Sequence, residues 1–257
     1  MNQIHQRDGK FEFLETDKSN DKTLMLLHGL FGGLSNFGAV VDHFSSEFNV
    51  VVPTLPMFEL PLRKVSLTGL VDHLADFIEY KDYRDIHILG NSLGGHAAIL
   101  YALGHQDRLA SITLTGSSGL FESAMGNTFP KRNNYEFIKK KAESTFYRPE
   151  IATKELVDEV FATVTDRNKG LRVIMTAKSA VRHNLADKLH LIKVPTLLIW
   201  GRQDEITPAF VGEKFDELIE DTELHFIDKC GHAPMMEEPD IFNGILEKFL
   251  KRISVPV

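Results

Sequence analysis

The chain has 257 residues, of which 43% are apolar and 25% are charged, a balance typical of soluble globular proteins. Its 36 acidic side chains exceed its 29 basic ones, and the formal charge of −7 is not the basic footprint expected of a nucleic-acid-binding protein. The single cysteine excludes an intramolecular disulfide framework and any multi-cysteine metal site. Without a membrane-spanning run or an apolar signal in residues 1–10, the sequence predicts a cytoplasmic protein.

Short apolar runs rich in β-forming residues alternate along the chain with longer amphipathic segments, which predicts βαβ units. We therefore expect an α/β fold with a mostly parallel sheet of about seven to eight strands and helices on both faces. The predicted strands are Phe11–Thr16, Thr23–Leu27, Asn49–Pro53, Ile86–Leu89, Ser111–Leu114, Thr196–Trp200 and Glu223–Ile227. Between and after them, apolar residues at helical spacing predict helices at Leu67–Tyr80, Leu93–Leu103 and Phe242–Ile253.

Residues 119–191 interrupt this alternation. They are rich in charge and helix-like, at Tyr135–Glu143, Lys154–Thr163 and Leu171–Ala186, and they show no convincing strand. Some seventy residues are too many for an ordinary connection. The sequence thus predicts a core domain of residues 1–118 and 192–257, with a helical subdomain of residues 119–191 inserted in it.

The segment Gly90–Gly94 reads Gly-Asn-Ser-Leu-Gly and lies between the predicted strand Ile86–Leu89 and a predicted helix that begins at Leu93. In such a G-x-S-x-G turn, glycines leave room for a tight bend that projects the serine hydroxyl above the sheet edge. The helix N-terminus places free N–H groups and a partial positive charge beside it. Ser92 is therefore the candidate nucleophile. The alternative is an ordinary glycine-rich turn in which Ser92 caps the helix.

A serine nucleophile needs a base and an acid that orients the base. Asp204 comes just after one predicted strand, and His232 comes just after the next. Because catalytic groups gather at the carboxyl ends of parallel strands, Ser92, Asp204 and His232 are expected to converge there. Asp228 is the rival acid, but it lies only four residues before the histidine and is expected to end its own strand.

A glycine-rich loop, His28–Gly33, follows the second predicted strand. Acyl transfer builds negative charge on the former carbonyl oxygen, and two fixed backbone N–H groups stabilise that charge. One N–H group is expected from Leu93, and the other from this loop, at either Leu30 or Phe31. His28 is expected to brace the loop by hydrogen bonding.

These motifs, in this order, resemble the serine-nucleophile branch of the α/β-hydrolase superfamily, which carries a helical lid and includes esterases and carbon–carbon bond hydrolases. The resemblance covers nearly the whole chain and implies that Ser92, Asp204 and His232 form a catalytic triad beneath a lid of residues 119–191. A serine at position 92 excludes the haloalkane dehalogenase and epoxide hydrolase branches. The chain departs from the family at residues 54–61, in a loop that borders the pocket in relatives. The matching segments are H-G-x-x-G at His28–Gly32, G-x-S-x-G at Gly90–Gly94, G-x-x-D at Gly201–Asp204, and G-H at Gly231 and His232.

The expected function is that of a serine hydrolase that cleaves a small ester-like acyl substrate through an acyl-enzyme, with no metal and no organic cofactor. One alternative is a carbon–carbon bond hydrolase of ring-cleavage diketones, although such relatives tend to carry an aromatic residue soon after the base, where this chain has Ala-Pro-Met-Met. Another is a receptor-like protein that binds its ligand with little turnover. The oligomeric state is not readable from the sequence.

Apolar side chains beside the motifs and in the inserted subdomain are expected to line an acyl pocket. These are Phe31, Phe58, Phe121, Met125 and Met235. Cys230, two residues before the base, is expected to be a small buried apolar residue rather than a second nucleophile.

Overall fold

The computed structural model describes residues 5–121 and 131–253, and the described part is built around one eight-stranded sheet. Its strands are β1 (His5–Asp8), β2 (Phe11–Glu15), β3 (Thr23–Leu27), β4 (Asn49–Pro53), β5 (Ile86–Asn91), β6 (Leu109–Thr115), β7 (Thr196–Gly201) and β8 (Thr222–Ile227). Their order across the sheet is β1-β2-β4-β3-β5-β6-β7-β8. The pairs that β2 makes with β1 and β4 are antiparallel, whereas all other pairs are parallel. The expected α/β fold with a mostly parallel sheet is confirmed.

The described part contains nine helices, some of which cover the two faces of this sheet. They are α1 (Gly38–Phe44), α2 (Leu67–Tyr80), α3 (Leu93–His105), α4 (Tyr135–Glu143), α5 (Lys154–Thr165), α6 (Arg167–Arg182), α7 (Ala209–Leu218), α8 (Pro234–Glu237) and α9 (Pro239–Ile253). Within residues 5–121 and 131–253, no helix is both long and apolar enough to cross a bilayer.

The central strand β3 explains why the core has two halves. Successive side chains of a strand point to opposite faces. Met25 and Leu27 accordingly pack in a cluster with residues of α2 and α3, whereas Leu24 and Leu26 pack in a second cluster with residues of α1 and α9. Because both faces are covered, every residue of the strand is buried, and all but Thr23 are apolar, as the sequence suggested.

Between β6 and β7, the described residues are helical or irregular and contain no strand. The first two helices there, α4 and α5, begin where predicted. The third, α6, begins at Arg167 rather than Leu171, because the Asp166 carboxylate accepts the N–H groups of Asn168 and Lys169, each at 2.8 Å, and so caps the helix. The helix ends at Arg182, four residues earlier than expected.

A buried histidine in β5 makes stability depend on pH. His87 contacts the Ser111 hydroxyl through Nδ1 at 2.7 Å, and burial lowers its pKa to about 4. Since the unfolded histidine titrates near 6.5, the unfolded chain gains a proton below that pH while the folded chain does not. Stability is therefore lost as the pH falls from about 6.5 to about 4, by on the order of 3 kcal/mol from this group.

Urea unfolding of the wild type and of His87→Gln across this pH range checks the expectation. Glutamine does not titrate and can still reach the Ser111 hydroxyl, so the variant should lose stability less steeply on acidification. Identical pH slopes for the two proteins would show that the burial of His87 does not couple to folding.

Candidate active site

Ser92 lies at the bend where β5 passes into α3. Its φ of +56° is rare for a non-glycine residue and costs about 1–3 kcal/mol, so the surroundings must hold it in place. Its N–H group donates to the Thr115 carbonyl at 3.1 Å, and its carbonyl accepts the N–H groups of His96 and Ser118, each at 3.2 Å. The side chain makes no capping hydrogen bond to α3. The Ser92 hydroxyl thus does not cap α3, contrary to the alternative in which this serine serves only as a helix cap.

The two glycines of the G-x-S-x-G turn are required by close packing. A Cβ atom on Gly90 would lie 2.5 Å from the Gly94 carbonyl oxygen, and one on Gly94 would lie 2.0 Å from the Leu27 carbonyl oxygen. Both distances are far below contact. The turn therefore admits only glycine at these positions, as the sequence motif indicated.

Asp204 lies just beyond the carboxyl end of β7 and is almost completely buried. One carboxylate oxygen, Oδ1, accepts the N–H groups of Ile206 and Thr207 at 2.8 and 2.9 Å. The other oxygen, Oδ2, lies 2.9 Å from Nδ1 of His232 and accepts the Thr207 hydroxyl, also at 2.9 Å. Each of the two carboxylate oxygens therefore has two hydrogen-bond partners, which fix the carboxylate in one orientation.

His232 follows β8, and only 6% of the residue is exposed. Its N–H group donates to the Thr145 carbonyl at 2.8 Å, and its own carbonyl accepts Nδ2 of Asn91 at 3.1 Å. Because Nδ1 faces the Asp204 carboxylate, the favoured neutral tautomer carries its proton on Nδ1 and its lone pair on Nε2. The imidazole is thus prepared to accept a proton through Nε2.

A cavity of about 250 Å³ lies between the carboxyl edge of the sheet and the helices inserted between β6 and β7. Ser92 and His232 both line it, whereas Asp204 lies behind the imidazole. The inserted helices and the turn after α4 contribute Ile138, Lys141, Ala142, Thr145, Phe146, Leu156, Val160, Val164, Ala177, Ala180 and Val181 to its wall. Among the described lining residues, the walls are therefore largely apolar, as is typical of small-molecule sites.

The loop that begins at His28 approaches the serine closely. A Cβ atom on Gly29 would lie 3.1 Å from Cβ of Ser92. The His28 imidazole holds this loop, since Nδ1 lies 2.9 Å from the Gly29 carbonyl and Nε2 accepts the Leu55 N–H group at 3.4 Å. Burial lowers the pKa of the His28 imidazole, which favours its neutral form in these two contacts.

The three residues considered for the oxyanion hole all line the cavity. These are Leu30, Phe31 and Leu93. Leu93 is the first residue of α3, where a backbone N–H group has no acceptor within the helix. Leu30 and Phe31 lie in the loop that packs against Ser92. This placement suits the role expected of their N–H groups.

Of the side chains expected in the acyl pocket, Phe31 and Phe121 line the cavity, and two others do not. Phe58 packs on the core cluster of α2 and α3, with Nζ of Lys169 5.5 Å from its ring centroid. Met235 is buried in the other core cluster, and Met236, one residue further along α8, lines the cavity instead. The expectation for Phe58 and Met235 was therefore wrong. Met125 lies outside the described residues.

The rival acid and the cysteine have other environments. Asp228 is exposed and forms an ion pair with Arg202 at 2.7 Å. Cys230 is buried, and this burial raises the pKa of its thiol. A thiol held protonated is a weak nucleophile.

In the described part of the chain, no group of three or more His, Cys, Asp or Glu side chains is placed to hold a metal ion.

Two contacts of the site were not anticipated from the sequence. The Thr207 hydroxyl, besides its bond to Asp204, lies 3.3 Å from Nδ1 of His232. Asn91, which occupies the first unspecified position of the G-x-S-x-G motif, donates through Nδ2 to the carbonyl of His232. One signal in the sequence could have predicted the contact of Thr207 with Asp204. Thr207 lies three residues after this loop aspartate, and Asp side chains commonly accept N–H groups two or three residues further along the chain.

The fold and this site define the class of the protein. Residues 22–239 match the family described as alpha/beta hydrolase fold, and the chain belongs to that family. It is accordingly a hydrolase of the α/β-hydrolase fold, as the resemblance of its motifs implied.

The relatives and solved structures that resemble the chain include proteins named as hydrolases. The chain is similar in structure to MGS-MChE2, an alpha/beta hydrolase enzyme from the metagenome of sediments of the Mar Chica lagoon, Morocco, with 38% identity, a TM-score of 0.81, and coverage of 98% of this chain and 100% of that one. It is 29% identical to 2-hydroxy-6-oxononadienedioate/2-hydroxy-6-oxononatrienedioate hydrolase 1 of Pseudomonas putida, over 89% of this chain and 88% of the relative. The 2-hydroxy-6-oxo-6-phenylhexa-2,4-dienoate hydrolase of Rhodococcus sp. strain RHA1 shares the fold, with 22% identity, a TM-score of 0.84, and coverage of 96% of this chain and 98% of that one.

Proposed function

We propose that the protein is a serine hydrolase that cleaves a small ester through an acyl-enzyme on Ser92. The observation that carries this proposal is the 2.9 Å contact between Asp204 Oδ2 and His232 Nδ1, behind an imidazole that lines the same cavity as Ser92. An imidazole held in this tautomer, in the wall of the same cavity as a serine whose side chain does not cap the helix, supports activation of the Ser92 hydroxyl.

In the proposed cycle, Nε2 of His232 accepts the proton of the Ser92 hydroxyl as its oxygen attacks the acyl carbon. Asp204 stabilises the imidazolium that forms. The backbone N–H groups of Leu93 and of Leu30 or Phe31 bind the negatively charged oxygen. The leaving alcohol takes the proton back from His232 as the acyl–oxygen bond breaks. Water, deprotonated by the same imidazole, then releases the acid and regenerates Ser92.

The inserted subdomain, residues 119–191, is proposed to act as a lid. Its helices supply much of the apolar wall of the cavity that Ser92 also lines. A cover of this kind excludes bulk water from the acyl-enzyme and strengthens the electrostatic interactions inside.

The charge of the cavity favours a neutral acyl group. Lys141 is the only lysine or arginine among the described residues that line the cavity, and these lining residues include no Asp or Glu. A dienedioate, the substrate class named for the Pseudomonas putida relative, carries two carboxylates. Two buried negative charges need two compensating partners, which this cavity does not offer among the described residues.

A carbon–carbon bond hydrolase is the second candidate, and two observations support it. Several relatives named as 2-hydroxy-6-oxononadienedioate hydrolases are 27–29% identical to this chain over about nine-tenths of its length. Lys141 could pair with one carboxylate of a diketone acid. The same triad would serve this reaction, since a serine or a water activated by His232 could attack a ketone carbonyl.

The deciding experiment measures kcat/KM for short p-nitrophenyl esters, a matched thioester and a ring-cleavage diketone acid with one enzyme preparation. We expect the neutral esters to be turned over many times with the highest kcat/KM. A higher value for the diketone acid would assign the protein to the second candidate. Saturable binding of the esters without turnover would instead indicate the receptor-like alternative.

A further inference from the structure

Glu237 is a buried carboxyl group outside the cavity wall. Only 2% of the residue is exposed, and it is the last residue of the short helix α8. Burial raises the pKa of its carboxyl group, while the hydrogen bonds that it accepts from three backbone N–H groups oppose that shift. A buried carboxyl group is costly unless its oxygens are matched by donors, so its partners indicate why the fold retains it.

Those partners come from two separate segments. Oε1 accepts the N–H group of Gly231 at 2.7 Å, immediately before His232. Oε2 accepts the N–H groups of Tyr147 and Arg148 at 2.8 and 3.2 Å, in the chain that follows α4. One carboxyl group therefore joins the loop that carries His232 to the base of the inserted helices.

The space around this junction is closely packed. A Cβ atom on Gly231 would lie 2.7 Å from the Thr145 carbonyl oxygen and 2.8 Å from the Tyr147 nitrogen. The Thr145 carbonyl itself accepts the N–H group of His232 at 2.8 Å. The Arg148 guanidinium donates to the Glu237 carbonyl and completes the junction. The N–H group of His232 is thus bonded to the segment 145–148 directly, and that of Gly231 is joined to the same segment through Glu237.

We propose that Glu237 is a positioning residue that sets the place of the His232 main chain and ties it to the inserted helices. This inference rests on the proposed function, in which His232 is the base. Asp204 holds the ring of His232 through Nδ1, but a ring is placed correctly only if its backbone is fixed as well. A displacement of about 1 Å in a catalytic group can cost about 100-fold in rate.

Glu237→Gln tests the proposal. The variant keeps the volume of the side chain but turns an NH₂ group toward at least one of the three backbone donors, which leaves buried N–H groups without an acceptor. We expect kcat to fall by about 10- to 100-fold while KM changes by less than about threefold, because Glu237 does not line the cavity.

Glu15→Gln is the matched control. Glu15 is also buried, and it accepts hydrogen bonds from the Tyr83 hydroxyl, Nδ2 of Asn49 and Nζ of Lys81 at 2.6, 3.0 and 3.1 Å. It lies at the amino-terminal edge of the parallel strands, away from the cavity. We expect this control to lose stability and retain its kcat, because the same change is made far from the base.

The outcomes separate the inference from the proposed function. A wild type that turns over esters, with Glu237→Gln losing kcat and Glu15→Gln retaining it, supports the inference. Equal kcat values for the wild type and Glu237→Gln, or equal losses in the two variants, overturn it and leave the proposed function standing. A wild type without ester turnover overturns the proposed function itself.

If Glu237→Gln does not fold, amide hydrogen exchange of the wild type gives the answer. The N–H groups of Gly231, Tyr147 and Arg148 should then be protected together, to a similar degree. Rapid exchange of Gly231 with protection of the other two would show that Glu237 does not hold the loop and would overturn the inference.

Discussion

Replacing Ser92 with alanine is expected to lower kcat by about four to six orders of magnitude, because the variant lacks the oxygen that attacks the acyl carbon in the proposed cycle. Some rate above that of water should remain, since the cavity and the N–H groups of the proposed oxyanion hole are unchanged. The measurement is the steady-state release of p-nitrophenol from the best ester of the panel, with the variant purified separately from any wild-type enzyme.

The matched control for this prediction is Ser118→Ala. Ser118 lines the same cavity, and its hydroxyl contacts the Ser92 carbonyl at 3.4 Å, but it follows β6 rather than the strand-to-helix turn. We expect this variant to keep kcat within about tenfold of the wild type.

The Ser92→Ala variant should remain folded. Its alanine adopts the same φ of +56° as the serine, so the thermal midpoint of the variant should change little. A Ser92→Ala variant with near-wild-type turnover would assign the nucleophile elsewhere.

Replacing Asp204 with asparagine is expected to lower kcat by about 10³- to 10⁴-fold. Asparagine can keep an oxygen toward the N–H groups of Ile206 and Thr207, so its NH₂ group then faces Nδ1 of His232. The imidazole must accept that hydrogen bond, which moves its proton to Nε2 and leaves no lone pair to receive the proton of Ser92. The fold should persist, because the carboxamide has nearly the same shape.

Asp228→Asn serves as the comparison for the acid. Its carboxylate is exposed and pairs with Arg202, and surface ion pairs contribute little. Its kcat should stay within about twofold of the wild type. The reverse ranking, with Asp228→Asn the more damaging change, would transfer the orienting role to Asp228 and contradict the assignment of Asp204.

The sequence was sufficient to predict seven of the eight described strands and the edge of the sheet at which the candidate site residues lie. All seven expected strands are present with ends within two residues of their predicted bounds. Parallel strands bring their carboxyl ends to one edge, so residues that follow β5, β7 and β8 lie along that edge. The first strand was missed because its sequence, His-Gln-Arg-Asp, lacks the apolar alternation that marks a strand. It is held by pairing with β2, which no local pattern reveals.

Side-chain direction and long-range contacts could not be predicted. Met235 and Met236 are adjacent in the sequence, and only the rotation of α8 decides that the second one faces the cavity. The contact of Asn91 with the carbonyl of residue 232 joins positions 141 residues apart. The bonds of Glu237 to the segment after α4 are of the same kind. Such contacts depend on how the elements pack, and the pattern of one sequence does not encode them locally.

The most direct measurement is acid quenching of the enzyme during turnover of a p-nitrophenyl ester, followed by mass spectrometry of its peptides. A burst of p-nitrophenol with a matching acyl mass on Ser92, absent in Ser92→Ala and strongly reduced in Asp204→Asn, is the predicted result. An acyl group on another side chain such as Ser117 or Ser118, with Ser92 unmodified while turnover proceeds, would contradict the assignment of Ser92 as the residue that attacks the substrate.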